Sequence, residues 1–154
     1  MVELKRELLS PCGLYCGVCA VYIAHRDNNL KFKKALTNVY KPFIKGIEDI
    51  KCTGCLSDGE VFPVCRRCPI KDCNKERGTK GCYECEEFPC KYIKNFPLKV
   101  GKKVILRAIP TWRELGTAKF VEMEEKRYAC PECGNYLFRG AKRCNKCKIA
   151  VDLD

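Results

Sequence analysis

An α+β fold is what the sequence predicts: a helical and irregular cysteine-rich domain followed by a C-terminal β ribbon. Three observations predict it. Fifteen cysteines stand in a chain of 154 residues. Helix-period apolar positions occur only in the stretches where cysteines are sparse. Two CxxC pairs with ten residues between them, Cys130/Cys133 and Cys144/Cys147, stand near the end of the chain. The apolar share is 46%, but it counts the cysteines, and what remains is about a third of the chain, below the usual globular share. A small domain with a thin core needs a staple, and the cysteines are the candidates.

Metal ligation is the expected use of those cysteines. Their number is odd, so full disulfide pairing would leave one over. The start, MVELKRELLSPCG, has no apolar run of the secretory kind. No stretch approaches the ~18 apolar residues of a membrane span. The expected location is therefore the cytoplasm, where thiols stay reduced and clustered CxxC pairs read as metal sites. The formal charge of +11 invites an anionic partner. Ligand thiolates would cancel much of that excess, leaving about +2 to +4 with three or four divalent ions bound. The basic residues concentrate at 88–150, where fifteen Lys/Arg face five Asp/Glu.

From the N-terminus, residues 1–27 predict a short helix, a break at Ser10–Pro11 and a second helix to about His25. Ser10 suits an N-cap and Pro11 a first turn. On that helix Cys12, Cys16 and Cys19 fall on one face, which suggests three ligands and one position to fill. A distant cysteine would close the site; solvent or substrate would leave it reactive. The spacing C-x3-C-x2-C also resembles the cluster motif of radical S-adenosylmethionine enzymes, but the chain leaves no room for their barrel. His25, the single histidine, is either a fourth ligand or a helix-end side chain. Residues 28–47 predict an amphipathic helix on Leu30, Leu36, Tyr40, Phe43 and Ile47, with Lys33 the polar exception and Pro42 a kink or stop.

Residues 51–90 predict knuckles and turns. They hold Cys52 and Cys55, then Cys65, Cys68 and Cys73, then Cys82, Cys85 and Cys90. The last two groups repeat one spacing, C-x2-C-x4-C. Eight sulfurs divide into two four-sulfur sites, sequential or interleaved. Zinc is the first expectation, and an iron–sulfur cluster, placed at the N-terminal triad, the second. Residues 91–127 predict two short helices broken near Pro110, with Glu122 and Lys126 paired on the second. Residues 128–150 predict the ribbon, whose ligands Cys130, Cys133, Cys144 and Cys147 would make a closed tetrahedral zinc site; iron fits the same ligands. Asp152 and Asp154 end the chain in an acidic tip. The expected organisation is a cysteine-rich metal-binding domain at 1–95, a basic helical linker at 96–127 and a zinc ribbon at 128–154.

The ordered series CGLYCGVCAVY, EDIKCTGC, C-x2-C-x4-C and CYECEEFPC resembles the cysteine-rich family called domain of unknown function 3795, over about residues 10–95. Some members resemble the chain further, with a tryptophan-containing linker like that of Trp112 and a ribbon after it. The resemblance implies metal binding, the cysteine grouping and the domain extent; it carries no reaction.

Three functions compete. A binding or scaffold module would use zinc to fold and offer a basic face of Lys99, Lys102, Lys103, Arg107, Arg139, Lys142 and Arg143 to an anionic partner, a nucleic acid or an acidic protein, along residues 91–148. Redox or sulfur chemistry would need a cluster on Cys12, Cys16 and Cys19. Hydrolysis at an open zinc would need a base such as Glu48 or Glu84, and neither stands at a telling spacing. The balance favours a module without catalysis.

Overall fold

A computed structural model describes residues 3–154. It carries seven α-helices among the described residues: α1 (Ala20–Arg26), α2 (Leu30–Val39), α3 (Pro63–Arg66), α4 (Pro69–Arg77), α5 (Lys91–Lys94), α6 (Lys99–Leu115) and α7 (Thr117–Arg127). Short 3-10 turns stand at Arg6–Leu8, Cys16–Val18, Ile47–Asp49 and Cys82–Glu84. None of the described helices is long and apolar enough to cross a membrane.

The expected α+β class with its C-terminal β ribbon is overturned. Strand structure in the described residues amounts to two isolated bridges, Ala129 with Tyr136 and Arg143 with Ala150. Each bridge is one pair of bonds and goes no further: Cys130 N–H to the Asn135 carbonyl at 2.8 Å with Leu137 N–H to Tyr128 at 2.7 Å, and Cys144 N–H to Ile149 at 2.9 Å with Val151 N–H to Lys142 at 3.0 Å, while between them Arg139 N–H donates to Val18 at 2.8 Å. Consecutive residues therefore never ladder.

Four more expectations change. Residues 11–25 are not one helix: Gly13 sits at φ +92, outside helical space, and α1 begins only at Ala20. A side chain at Gly13 would lie 2.9 Å from Ile109 Cδ1, so α6 presses directly on that turn. The helix expected over 28–47 is α2 alone. Asn29 caps it by accepting from the Phe32 N–H at 3.0 Å, and it ends at Val39, three residues before Pro42. Residues 51–90 add α3 and α4 to the expected turns. Both start on proline, and α4 ends at Gly78 with φ +69. Finally, α6 runs through Pro110 and stops at Gly116 instead. Pro110 is exposed, so water can meet the carbonyl its missing N–H leaves over, while Val104, Ile105, Ala108, Ile109 and Trp112 bury the opposite face.

The largest core gathers α6, α7, Ile93 and the N-terminal turns around Trp112. The indole stacks between Tyr83 and Phe120, with ring centres 4.4 and 4.8 Å away, and donates to Thr117 Oγ1 at 2.9 Å. A second core joins α1, α2, Ile50 and Phe62. A third, smaller one sits in the tail around Leu137 and Ala141. Phe138 bridges the last two by packing on Phe32 at 4.9 Å. Each fully buried aliphatic side chain is worth about 1.5–3 kcal/mol, so the three small cores leave a role for other staples.

Candidate metal centre

The tail brings Cys130, Cys133, Cys144 and Cys147 together. All four sulfurs lie within 4.8 Å of one another, the one such group of potential ligands among the described residues. Cys130 and Cys147 are 3.5 Å apart and Cys133 and Cys144 are 3.7 Å apart. A zinc–sulfur bond of 2.3 Å gives a tetrahedron with edges of about 3.8 Å, so the group is already near the size of one ion's ligand shell.

Two turns of the same construction build it. In the first, Gly134 N–H donates to the Cys130 carbonyl at 2.9 Å; in the second, Lys148 N–H donates to the Cys144 carbonyl at 3.0 Å. The equivalent residues Gly134 and Lys148 both take left-handed backbone, at φ +71 and +67. Lys148 bears that conformation while its ammonium reaches the Asn145 carbonyl at 2.6 Å. N–H groups converge on the sulfurs, Lys146 N–H reaching Cys144 at 3.4 Å. The backbone N–H of Cys133 holds the Cys130 thiol below its usual range, and that of Cys147 pulls Cys144 down to about 6. Donors favour the thiolate, which is the form a metal takes.

The N-terminal cysteines are placed differently from the single face expected of them. Cys12 and Cys16 join the largest core with Cys55 and Cys68, whereas Cys19 packs in the second core with Cys52 and Cys65. The triad is thus split, and each part meets cysteines from beyond residue 50. Gly54 makes this possible. At φ +126, and with a Cβ that would stand 2.4 Å from the Glu7 carbonyl, it lets the Cys52–Cys55 turn back onto the N-terminus. Cys55 N–H then donates to Cys16 Sγ at 3.4 Å, and Lys71 holds the Cys55 carbonyl at 2.8 Å.

Burial pushes the Cys12 thiol up to about 12, against the Ser10 hydroxyl 3.0 Å away. Cys16 is raised and Cys55 lowered to about 7 by their mutual contact, with Lys71 assisting the second. Burial also raises Cys52, Cys65 and Cys68, and takes Cys82 to about 11. Metal-free, most of these thiols would stay protonated.

The remaining four, Cys73, Cys82, Cys85 and Cys90, line one small cavity together. His25 stands apart from the cysteines, with Nδ1 3.5 Å from Lys33 Nζ; burial and Lys33 lower its pKa. Glu84 accepts from the Lys80 N–H at 2.9 Å, so it serves a turn. Of the basic face, Arg107 pairs with Glu124, Arg139 donates to the Tyr15 carbonyl and Lys103 to the Asp154 backbone. Lys99, Lys142 and Arg143 are exposed, and Lys102 is half-buried.

Sequence reasoning missed the polar neighbours of the sulfurs. Ser10 read as a helix cap and instead touches Cys12. Asn74 had no spacing signal, yet is buried and donates to Cys82 Sγ at 3.5 Å. All fifteen cysteines are free of disulfides.

A family described as protein of unknown function (DUF3795) matches residues 8–95, more than half of the chain, and the chain belongs to it. No curated protein and no solved structure matches it.

Proposed function

We propose that this member of the DUF3795 family is a zinc protein whose ions staple its fold, and that it works as a binding or scaffold module. The observation that carries the reading is the tail group, whose sulfur spacings of 3.5 and 3.7 Å approach the edges of a zinc tetrathiolate. Four thiolates leave no open position, so the ion there holds shape. The other eleven cysteines extend the same chemistry to residues 12–90, with several ions per chain. Free thiols in this number suit a reducing compartment, the cytoplasm. Exposed Lys99, Lys142 and Arg143 are left for an anionic partner.

The test is unfolding before and after a strong chelator. The reading expects chelation to remove the metal and most of the cooperative transition together. An unchanged transition in the metal-free chain would rule out the staple. For the partner, binding to nucleic acid should weaken steeply with salt, and a flat response would remove that part.

An iron–sulfur cluster is the second reading. The meeting of buried Cys12, Cys16 and Cys55 with half-buried Cys68 in one apolar core favours it. It expects a brown, air-sensitive protein; a colourless one from anaerobic cells would sink it.

A further inference from the structure

We propose that Cys73, Cys82, Cys85 and Cys90 form a second closed four-thiolate site, binding one divalent ion of the zinc class. The two C-x2-C-x4-C repeats then do not make one site each. Cys73, the last cysteine of the first repeat, completes the second. The proposal rests on the reading of the chain as metal-binding and adds to it which ligands belong together.

The cavity that these four side chains line has a volume of about 20 Å³. That is room for one water-sized particle, hence for one ion. Neither histidine nor carboxylate lines it, so the ligand set is sulfur alone. Four thiolates around a divalent ion leave two negative charges over. Arg77 and Asn74 are among the residues that line the cavity, and the Arg77 guanidinium also pairs with Glu87 at 2.6 Å.

Asn74 is oriented for this task. Its side chain is buried, and Thr79 Oγ1 donates to its Oδ1 at 2.6 Å. The amide nitrogen donates to the Ile70 carbonyl at 2.9 Å and has Cys82 Sγ at 3.5 Å for its other hydrogen. A fixed N–H aimed at sulfur is how outer partners orient and stabilise a ligating thiolate.

The chain path explains the pairing. Cys73 lies on α4, which Gly78 terminates, and Cys82 returns beside it after the Thr79–Gly81 turn. Arg113 of α6 then grips the Tyr83 and Cys85 carbonyls, both at 2.9 Å, fixing the second turn from outside. Cys65 and Cys68, nominally in the same repeat as Cys73, do not line this cavity; Cys65 packs in the core with Cys19, and Cys68 in the core that holds Cys12, Cys82 and Cys90.

The experiment uses the full chain, purified without oxygen and loaded with zinc alone. Chelator is titrated in, bound zinc is counted by native mass spectrometry, and free thiols are pulse-alkylated and mapped at each step. The expected result is that Cys73, Cys82, Cys85 and Cys90 lose protection together as one ion leaves. Loss of Cys73 protection with Cys65 and Cys68, separately from Cys82, Cys85 and Cys90, overturns the pairing. So does free labelling of the four while the metal count is undiminished. In a Cys85→Ser/Cys90→Ser variant the count should fall by one with Cys130, Cys133, Cys144 and Cys147 still protected; an unchanged count also overturns it. A chain that binds no zinc anywhere refutes the proposed function as well, whereas zinc bound with these four thiols free refutes the pairing alone.

Discussion

Replacing Arg107 by alanine is expected to destabilise the chain by about 3–5 kcal/mol, the cost of leaving a buried charge uncompensated. Its partner, Glu124, is 1% exposed. Arg107 clasps that carboxylate with its two terminal guanidinium nitrogens, at 2.6 and 3.4 Å, and is itself 29% exposed over its side chain. No other side chain donates to Glu124 among the described residues: the nearby Tyr128 hydroxyl gives its proton to Asp154 at 2.6 Å. At about 2–4 °C per kcal/mol for a chain of this size, the melting temperature should fall by about 6–20 °C. The assay is thermal unfolding of the metal-loaded protein, with Lys126→Ala alongside. Lys126 pairs with Glu122 at 2.7 Å on an open surface, where water and salt screen the pair and its loss costs little. An Arg107→Leu/Glu124→Leu variant should recover much of the loss, because the uncompensated charge is gone. If Arg107→Ala costs no more than Lys126→Ala, the account of α6 on α7 is wrong.

Gly54→Ala should disturb the Cys52–Cys55 turn, since its Cβ would stand 2.4 Å from the Glu7 carbonyl in a backbone conformation that alanine avoids; the readout is faster alkylation of Cys16 and Cys55, and unaltered labelling would contradict the packing. Cys133→Ser should cost one metal ion per chain and release the tail to protease between Tyr128 and Asp154, with a protease-resistant tail counting against it. In the metal-free chain pH acts in two directions. Cys144, depressed to about 6, adds stability that is full above the ordinary thiol value of about 8.5 and is lost as pH falls towards 6; Cys82, raised to about 11, adds stability that is full below about 8.5 and is lost as pH rises towards 11. Melting temperature against pH should therefore fall on both sides, Cys144→Ser weakening the acid limb that Cys55 shares and Cys82→Ser the alkaline limb that Cys12 shares.

The tail site was legible because its ligands come in two local turns. Cys130 with Cys133 and Cys144 with Cys147 need only short-range geometry to be recognised. That the tail would form no β ribbon around it was not, because Arg139 N–H goes to Val18, a partner 121 positions away that no local pattern announces. The same holds for the triad. Cys12, Cys16 and Cys19 read as a helical face, yet Gly13 at φ +92 and the contact with Ile109 take Cys12 out of any helix. Pro110 read as a breaker, but a buried face on one side of a helix outweighs one missing hydrogen bond on the other. The acidic tip carried no local meaning at all. In three dimensions Asp154 accepts from Tyr128 and from the Gly140 N–H at 2.9 Å, closing the tail on α7. Arg107 looked like part of a basic face because its partner, Glu124, lies on the next helix.

The most direct test of the central claim is metal content per chain, with an absorption spectrum, on wild-type protein and on Cys130→Ser/Cys133→Ser, both purified without oxygen or added metal. The account predicts a colourless wild type carrying zinc and a variant carrying one ion fewer. Equal metal content in the two proteins, or a wild type with none, would contradict it.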